Sequence, residues 1–325
     1  MKAALGLASS LSVIAALVLG AVPGAQAQPF PYKPLRIVVP FPPGSGSDSA
    51  ARIMAQAMPE FLKQPVVVEN RAGASGIVGT EYVKRSAGDP YTLVLAASTT
   101  HAANVSLFKS LPYDPVKDFT PIAKIGSVAF VLMVRPEFPA SNVKEFVAYA
   151  KANPGKLSFG HGTAGMLAAA TLFSKTAGFN AQAIPYKGNP PALADLIGGQ
   201  IQFSFVDMGA ANAQVKGGKL KALAVTMNRR SSLAPDIPTF AEAGIPGVEV
   251  VAWIGMLAPA GIPPDAKQKL IAAAMAALET QDVKTRLMAA GLDVDAADGD
   301  GLARTIDADI KHWARMLKDA GVQPE

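Results

Sequence analysis

Residues 35–48 have the sequence LRIVVPFPPGSGSD, an apolar run that ends at prolines and continues into small polar residues. The run 35–40 predicts a buried strand, and the segment 48–62 behind the loop predicts a helix. A strand that turns through small residues into a helix leaves the first N–H groups of that helix without backbone partners. Those groups and the helix dipole favour a bound anion. The loop 44–48 is therefore a candidate carboxylate site.

Residues 1–27 predict a secretory signal peptide. Lys2 gives a positive start, 11–22 is apolar but too short to span a membrane, and AQA at 25–27 has the pattern of a cleavage site. We expect cleavage after Ala27 and a periplasmic protein that is not inserted in the membrane. The chain contains no cysteine, which excludes disulfides and a cysteine-linked lipid anchor.

Composition places the chain among globular proteins, with 50% hydrophobic and 17% charged residues. Its length beyond the signal peptide favours two domains. The formal net charge is +5, but the Lys and Arg residues are scattered rather than interleaved with aromatic residues in a block. We therefore expect no nucleic-acid partner.

Short apolar runs alternate with helical patterns along the chain, which predicts an α/β fold with mixed, mostly parallel sheets flanked by helices. The predicted strands are 35–40, 66–69, 91–97, 122–134, 157–160, 181–186, 201–206, 220–226 and 248–258. The predicted helices are 48–62, 76–86, 142–152, 164–177, 190–198, 208–216, 264–278, 282–290 and 300–319.

Two predicted strands, 122–134 and 248–258, are long enough to form a two-strand hinge between domains. On that interpretation 28–131 with 253–325 forms domain 1, completed by the three C-terminal helices, and 132–252 forms domain 2. An ordinary core strand at 248–258 is the alternative.

The chain lacks the common signatures of catalysis and of cofactor binding. Its three histidines, His101, His161 and His312, show no metal-ligand spacing. No nucleophile-elbow, P-loop or dinucleotide-binding motif is present. We therefore expect no cofactor, no metal and no enzymatic activity, although a Ser/His/Asp set from distant residues stays open.

Polar turns follow several predicted strands, and ligands of open α/β sheets bind outside the carboxyl ends of strands. One predicted rim consists of 44–48 and the turn 98–101, and a second consists of 162–165 and Asp207. Facing each other across a hinge, the two rims would enclose a ligand. Each turn taken singly is better explained as a plain helix cap, and only their joint occurrence at the same end of the strands favours a binding site.

Nine short strings occur in a fixed order along the chain: YKPLRIVVPFPPG (32–44), VVVENR (66–71), YTL (91–93), LPYDPVKDF (111–119), PYKG (185–188), GGQI (198–201), LAVT (223–226), IPTFAEAG (237–244) and, after Trp253, APAG (258–261). In their order and spacing the chain resembles the solute-receptor family of tripartite tricarboxylate transporters, the Bug or TctC-type periplasmic binding proteins. The resemblance covers essentially the whole chain after the signal peptide.

This resemblance implies a two-domain periplasmic binding protein of the Venus-flytrap, type II-like class. It implies a small organic acid held by backbone N–H groups, delivery to a small and a large integral-membrane transporter subunit, and a monomeric receptor. The alternatives are an accessory receptor for a membrane signalling protein and a secreted serine-type hydrolase. The predicted ligand-binding residues are Phe41, Gly44, Ser45, Gly46, Ser47, Asp48, Ser98, His101, Gly162, Thr163, Ala164 and Asp207.

Two departures from the family pattern bear on the ligand. The first loop is GSGSD at 44–48 where relatives usually have three glycines before a Thr or Ser and an Asp. Met166 stands where the helix after Thr163 usually carries a histidine. If Met166 faces the cleft, this change favours a ligand with a less polar end; the alternative is that the histidine is structural in relatives.

Overall fold

The computed structural model describes residues 29–231 and 233–324. The predicted signal peptide and its cleavage point lie outside these residues. Among the described helices, none is both long and apolar enough to cross a membrane.

Strands and helices alternate along the described chain, as the hydrophobic pattern predicts. The strands are β1 (Leu35–Val39), β2 (Val66–Asn70), β3 (Thr92–Ala97), β4 (Phe119–Val134), β5 (Ser158–His161), β6 (Gln182–Pro185), β7 (Phe203–Asp207), β8 (Lys221–Val225), β9 (Val251–Pro259) and β10 (Ala297–Asp298). The helices are α1 (Gly46–Ala57), α2 (Pro59–Leu62), α3 (Ile77–Lys84), α4 (Asn104–Leu107), α5 (Val143–Ala152), α6 (Ala164–Ala177), α7 (Asn189–Ile197), α8 (Met208–Lys216), α9 (Pro264–Glu279), α10 (Gln281–Ala289) and α11 (Gly299–Ala320).

The predicted α/β class is confirmed, with two local corrections. The single helix predicted over 48–62 is two helices, because Pro59 has no N–H to continue α1 and instead starts α2. The polar turn predicted at 98–101 is instead the beginning of a π-helical turn at Thr99–Ala103, which follows β3 and continues into α4. This segment consists largely of small and β-branched polar residues, which occur both in helical turns and in loops, so the sequence does not predict which of the two forms.

The strands form one curved sheet in the order β2-β1-β3-β9-β4-β7-β5-β6, with β8 and β10 also paired to β4. The outer strands are parallel, whereas β4 and β9 pair antiparallel because one leads the chain out and the other leads it back. Residues Phe119–Ala129 of β4 pair with β9, and Phe130–Val134 pair with β7 and β8. We call the two halves that meet along β4 the first lobe (β1–β3, β9, β10) and the second lobe (β5–β8).

Each lobe has its own hydrophobic core. The first contains buried side chains of β1 and β3 packed against α1, α9 and α10. The second is rich in phenylalanine, with Phe146 and Phe173 of α5 and α6 against Phe203 and Phe240 at ring-centroid distances of 5.0–5.4 Å. Aromatic pairs of this kind contribute about 0.5–1.5 kcal/mol each beyond area burial.

The last helix, α11, contacts both cores. Leu302 and Ile306 pack into a cluster with β1, β3 and β9 of the first lobe, whereas Trp313 and Leu317 pack into the phenylalanine core of the second. The C-terminal segment therefore joins the lobes as well as completing the first one. The division into 28–131 with 253–325 and 132–252 stays a prediction; the change of pairing partner on β4 falls between Ala129 and Phe130.

Thr226 fixes the chain where β4 passes from one lobe to the other. Its fully buried hydroxyl accepts from the Phe130 N–H at 3.0 Å and donates to the Val250 carbonyl at 2.6 Å. Both partners lie at the lobe boundary, one on β4 and one just before β9. One side chain thus satisfies two buried main-chain groups beside the hinge strands.

We predict that Thr226→Val lowers the free energy of unfolding by about 1–3 kcal/mol, because it leaves a buried N–H and a buried carbonyl unpaired while preserving shape. Urea denaturation measures the change. Thr285→Val is the control, since Thr285 is exposed and bonds only within α10. Equal stability of the two variants would contradict the assigned role of Thr226.

Candidate functional site

A cavity lies between the two lobes. Its empty volume is about 550 Å³, which includes the part of the opening that is filled by solvent. Its walls come from the first loop, the end of β3, the boundary segments of β4 and β9, and the starts of α6, α7 and α8. The lining residues are Phe41, Ser45, Gly46, Ser47, Ala97, Thr99, Val128, Phe130, Thr163, Met166, Asn189, Asp207, Ala252, Trp253 and Ile254. None of these described residues carries a positive charge, so any anion held here depends on neutral donors.

The N-terminus of α1 supplies such donors. Ser45 caps the helix: its Oγ accepts from the Asp48 N–H at 3.2 Å, and its carbonyl accepts from the Ser49 N–H at 3.0 Å. Of the four N–H groups that a helix start leaves without partners, those of Gly46 and Ser47 remain. Both residues line the cavity.

Asp48 stabilises the conformation of the loop 44–48 from a position outside the cavity lining. Its carboxylate accepts from the Gly44 N–H at 3.0 Å, from Arg52 Nε at 3.0 Å and from Asn70 Nδ2 at 2.9 Å. Burial alone would raise the pKa of Asp48, but these hydrogen bonds outweigh it and hold the pKa below its usual value. Asp48 and Gly44 do not line the cavity; they fix the turn that aims α1 at it.

The start of α6 supplies the opposite wall. Thr163 caps the helix through its Oγ1, which accepts from the Met166 N–H at 3.3 Å. The Gly162 N–H donates to Met166 Sδ at 3.4 Å, and the Ala164 N–H donates to Thr99 Oγ1 at 3.2 Å. Two of the three predicted donors at 162–164 thus already have protein partners, and Thr163 is the one of these residues that lines the cavity.

Asp207 stands directly opposite the start of α1. A Cβ atom placed on Gly46 would lie 3.7 Å from Asp207 Cγ. The carboxylate caps α8 by accepting from the Ala210 N–H at 2.9 Å, and it also accepts from the side-chain amide of Asn189. Loss of solvent around the carboxyl raises the pKa of Asp207 above its usual value, although these hydrogen bonds oppose the shift.

The structure does not bring Ser98 and His101 to the cavity. Ser98 is fully buried and its Oγ accepts from the Trp253 N–H at 2.8 Å. His101 is also fully buried, with Nδ1 2.9 Å from Thr100 Oγ1 and its ring 4.7 Å from that of Phe119. The physical reason is the helical turn after β3, which directs Thr99 to the cavity and these two neighbours into the core.

Sequence reasoning missed several lining residues. Asn189 follows Gly188 at the start of α7. An asparagine at the start of a helix is ordinarily explained as a helix cap, so its position did not indicate a ligand contact. Trp253 belongs to the family motif, but nothing in the sequence assigns it to a wall of the cavity. Met166, whose orientation the sequence left open, lines the cavity with 1% of its surface exposed. Phe41, Ser45, Gly46, Ser47, Thr163 and Asp207 of the predicted set meet there.

The two lobes are in close contact at two glycines beside the cavity. Added Cβ atoms at two second-lobe glycines would collide with the first lobe: at 2.5 Å from Pro42 for Gly188, and at 2.2 Å from the Ala290 carbonyl oxygen for Gly209. Beyond Asp207 an outer cleft continues between α8 and the end of α10, and it shares Gly46, Asn189 and Asp207 with the cavity. The described arrangement is thus a closed one with no room for larger residues at these points.

Comparison with known proteins identifies relatives over nearly the whole described chain. The sequence model of a family described as "Tripartite tricarboxylate transporter family receptor" matches residues 50–322. Protein BugT of Bordetella pertussis is 35% identical over 300 residues, covering 91% of this chain and 92% of BugT. The structure of the periplasmic binding protein BugD has a TM-score of 0.87 at 34% identity, covering 91% of this chain and all of that chain. A protein of R. palustris solved with adipate has a TM-score of 0.88 at 30% identity, with the same coverage.

The buried histidines predict a pH dependence of stability. Burial lowers the pKa of His101 to about 3 and that of His161 to about 4. Unfolded histidine binds a proton near pH 6.5, so below that pH the unfolded state takes up protons that the folded state refuses. We predict that the free energy of unfolding falls as the pH decreases from 6.5 toward 3.

The test is urea denaturation of the wild type, His101→Gln and Thr285→Val between pH 7 and pH 4. His101→Gln should flatten the pH dependence, whatever its effect at pH 7. Thr285→Val, an exposed change that removes no titratable group, is the control and should leave the slope unchanged. A slope that is the same in all three proteins would contradict the assignment.

Proposed function

The chain belongs to the receptor family of the tripartite tricarboxylate transporters, and on that premise we propose that it binds one small organic acid in the periplasm and delivers it to a membrane importer. The partners would be the small and large integral-membrane subunits of such a transporter. The predicted signal peptide supports export, and the family supports the partnership. The receptor itself is proposed to act as a monomer.

This proposal rests on one observation. The N–H groups of Gly46 and Ser47 have no partner among the described residues, and they belong to a cavity whose described lining residues include no cationic side chain. Gly46 and Ser47 line the space between the lobes at a helix start, where the dipole favours negative charge. Thr163 borders the same space from the other lobe. A carboxylate is the common biological anion that such a pair of neutral donors suits, and the adipate-bound relative supports that class of ligand.

The proposed mechanism is docking followed by closure. The acid binds first to the start of α1, whose donors are held by the Ser45 cap and therefore lose little entropy on binding. Closure then brings Thr163 and Asp207 against it. Hydrogen bonds to a charged group contribute about 1.5–3 kcal/mol each. Three or four of them, less the cost of closure, correspond to about micromolar affinity.

Ligand binding would act as a signal by shifting the population toward the closed form, which the membrane subunits would recognise. The closed form depends on glycine at the lobe contacts of Gly188 and Gly209. We propose no catalysis: the matching family is described as a receptor family, BugD is described as a binding protein, and no histidine is among the described residues that line the cavity.

Removal of one main-chain donor tests the site directly. Pro is accepted at the first position of a helix, and the extended Ser45 before it suits a following proline. We predict that Gly46→Pro weakens binding of the acid by about ten- to 150-fold, the equivalent of one charged hydrogen bond. Gly46→Ala keeps the N–H, its Cβ makes only ordinary contacts, and it should bind nearly as wild type.

A thermal-shift screen of organic acids, sugars and divalent metal ions identifies the ligand class, and calorimetry then gives the affinities of both variants. A ligand at 100 times its Kd should stabilise the wild type by about 2.7 kcal/mol. Stabilisation by sugars or metals alone would contradict the proposal. So would equal affinity of Gly46→Pro and Gly46→Ala.

Closure predicts a second, distant effect. Gly209→Ala places a methyl group 2.2 Å from the Ala290 carbonyl oxygen, so the closed form must open slightly. We expect a loss of affinity of about five- to 150-fold, from a steric cost of about 1–3 kcal/mol. Gly217→Ala, directly after the end of the same helix, is the control, since its added Cβ would meet only atoms of the second lobe. Unchanged affinity of Gly209→Ala would rule out this contact as part of the binding-competent form.

A further inference from the structure

Two hydrogen-bond acceptors lie beside the unpaired donors of α1. Asn189 is only 6% exposed and borders the cavity, and its Oδ1 has no hydrogen-bond partner among the described residues. Its amide nitrogen donates to Asp207, which fixes Oδ1 as the free end. A buried acceptor without a donor costs free energy, so a ligand group that donates to Asn189 Oδ1 would be stabilised there.

The second acceptor is the Asp207 carboxylate. Each oxygen already receives one hydrogen bond, from the Ala210 N–H and from Asn189, and each keeps a further lone pair. The group lies within van der Waals distance of where a Cβ of Gly46 would be. The donors for a carboxylate and the acceptors for a donor group are therefore immediate neighbours.

The short distance between the donors of α1 and the acceptors of Asp207 and Asn189 limits the negative charge that a ligand can carry. The donors at Gly46 and Ser47 satisfy one carboxylate, and no Lys or Arg is among the described lining residues. The carboxylate at the start of α1 already lies beside Asp207, so a second ligand carboxylate would add a further negative charge in a space with little water, where like charges repel strongly. Met166 Sδ already takes the Gly162 N–H, which removes a further donor that a second carboxylate could have used.

The rest of the cavity is apolar. Beyond the polar corner formed by Gly46, Asn189 and Asp207, the walls are hydrocarbon, aromatic ring and thioether. They are contributed mainly by Val128, Phe130, Met166, Trp253 and Ile254. An apolar ligand body would fill this space and gain the free energy of burial, roughly 25 cal/mol per Å².

We infer that the ligand is a monocarboxylic acid with a hydrogen-bond donor on its α-carbon, an ammonium or a hydroxyl, and an apolar side chain. Its carboxylate would bind the start of α1, its α-donor would bind Asp207 and Asn189 Oδ1, and its side chain would contact Met166 and Trp253. The two polar groups of such an acid sit on adjacent carbon atoms, which matches the adjacent donors and acceptors. This inference rests on the proposed function and specifies its ligand.

The test compares acids with a common body by titration calorimetry on the mature protein, freed of bound ligand by unfolding and refolding. One series is phenylalanine, 3-phenyllactate and 3-phenylpropionate; a second is leucine, 2-hydroxy-4-methylpentanoate and 4-methylpentanoate. Adipate and malate represent dicarboxylates. In at least one series the α-amino or α-hydroxy acid should bind at least tenfold more tightly than the acid without the α-donor, and more tightly than either dicarboxylate.

Asp207→Asn and Asp236→Asn separate the role of Asp207 from a general charge effect. Asparagine preserves the size of the side chain and the oxygen that caps α8, but its amide group replaces the oxygen that accepts from Asn189 and removes the negative charge. We expect Asp207→Asn to weaken binding of the α-ammonium acid at least tenfold and not to weaken that of the acid without the α-donor, because loss of the charge relieves repulsion of the ligand carboxylate. Asp236 is exposed and outside the cavity, so Asp236→Asn should change neither affinity.

Each result has a distinct meaning. Equal affinity with and without the α-donor, tighter binding of a dicarboxylate, or equal losses for all acids in Asp207→Asn would overturn the inference while leaving an acid receptor in place. Failure of every acid to bind the refolded wild type would overturn the proposed function and the inference with it.

Discussion

The site depends on the two N–H groups at the start of α1, those of Gly46 and Ser47, that have no hydrogen-bond partner among residues 29–231 and 233–324. A helix start needs acceptors for its first N–H groups, and here the Ser45 cap supplies them for Asp48 and Ser49 only. The donors of Gly46 and Ser47 line a cavity that the second lobe closes. Closure without an acceptor would bury them unsatisfied, so on the proposed function an anion in the cavity and closure of the lobes would stabilise each other.

The walls of this cavity are also parts of the connection between the lobes. Trp253 of β9 lines the cavity, donates its N–H to Ser98 at 2.8 Å, and donates its indole N–H to Asp309 of α11 at 2.8 Å. The later turns of α11 pack into the second core through Trp313. The residues that would contact a ligand and the residues that would transmit closure thus belong to one contiguous set of hydrogen bonds and packed side chains.

Helices and strands with regularly spaced hydrophobic residues could be predicted from the sequence. The directions of the side chains at the site could not. The predicted bounds of α6 at 164–177 coincide with the observed ones, because a Thr cap and a following glycine mark its ends. The helical turn at Thr99–Ala103 has no such marks, and a shift of one residue exchanged Thr99 for Ser98 at the cavity. The free acceptor of Asn189 arises only when distant segments meet, so no local pattern could have indicated it.

A crystal structure of the mature protein with the acid that co-purifies with it tests the central claim most directly. Our account predicts one carboxylate between the lobes, with an oxygen within hydrogen-bond distance of the main-chain nitrogen of Gly46 or Ser47, directly or through one ordered water. An acid bound elsewhere, or a ligand in this cavity that places no anionic group at the start of α1, would contradict it.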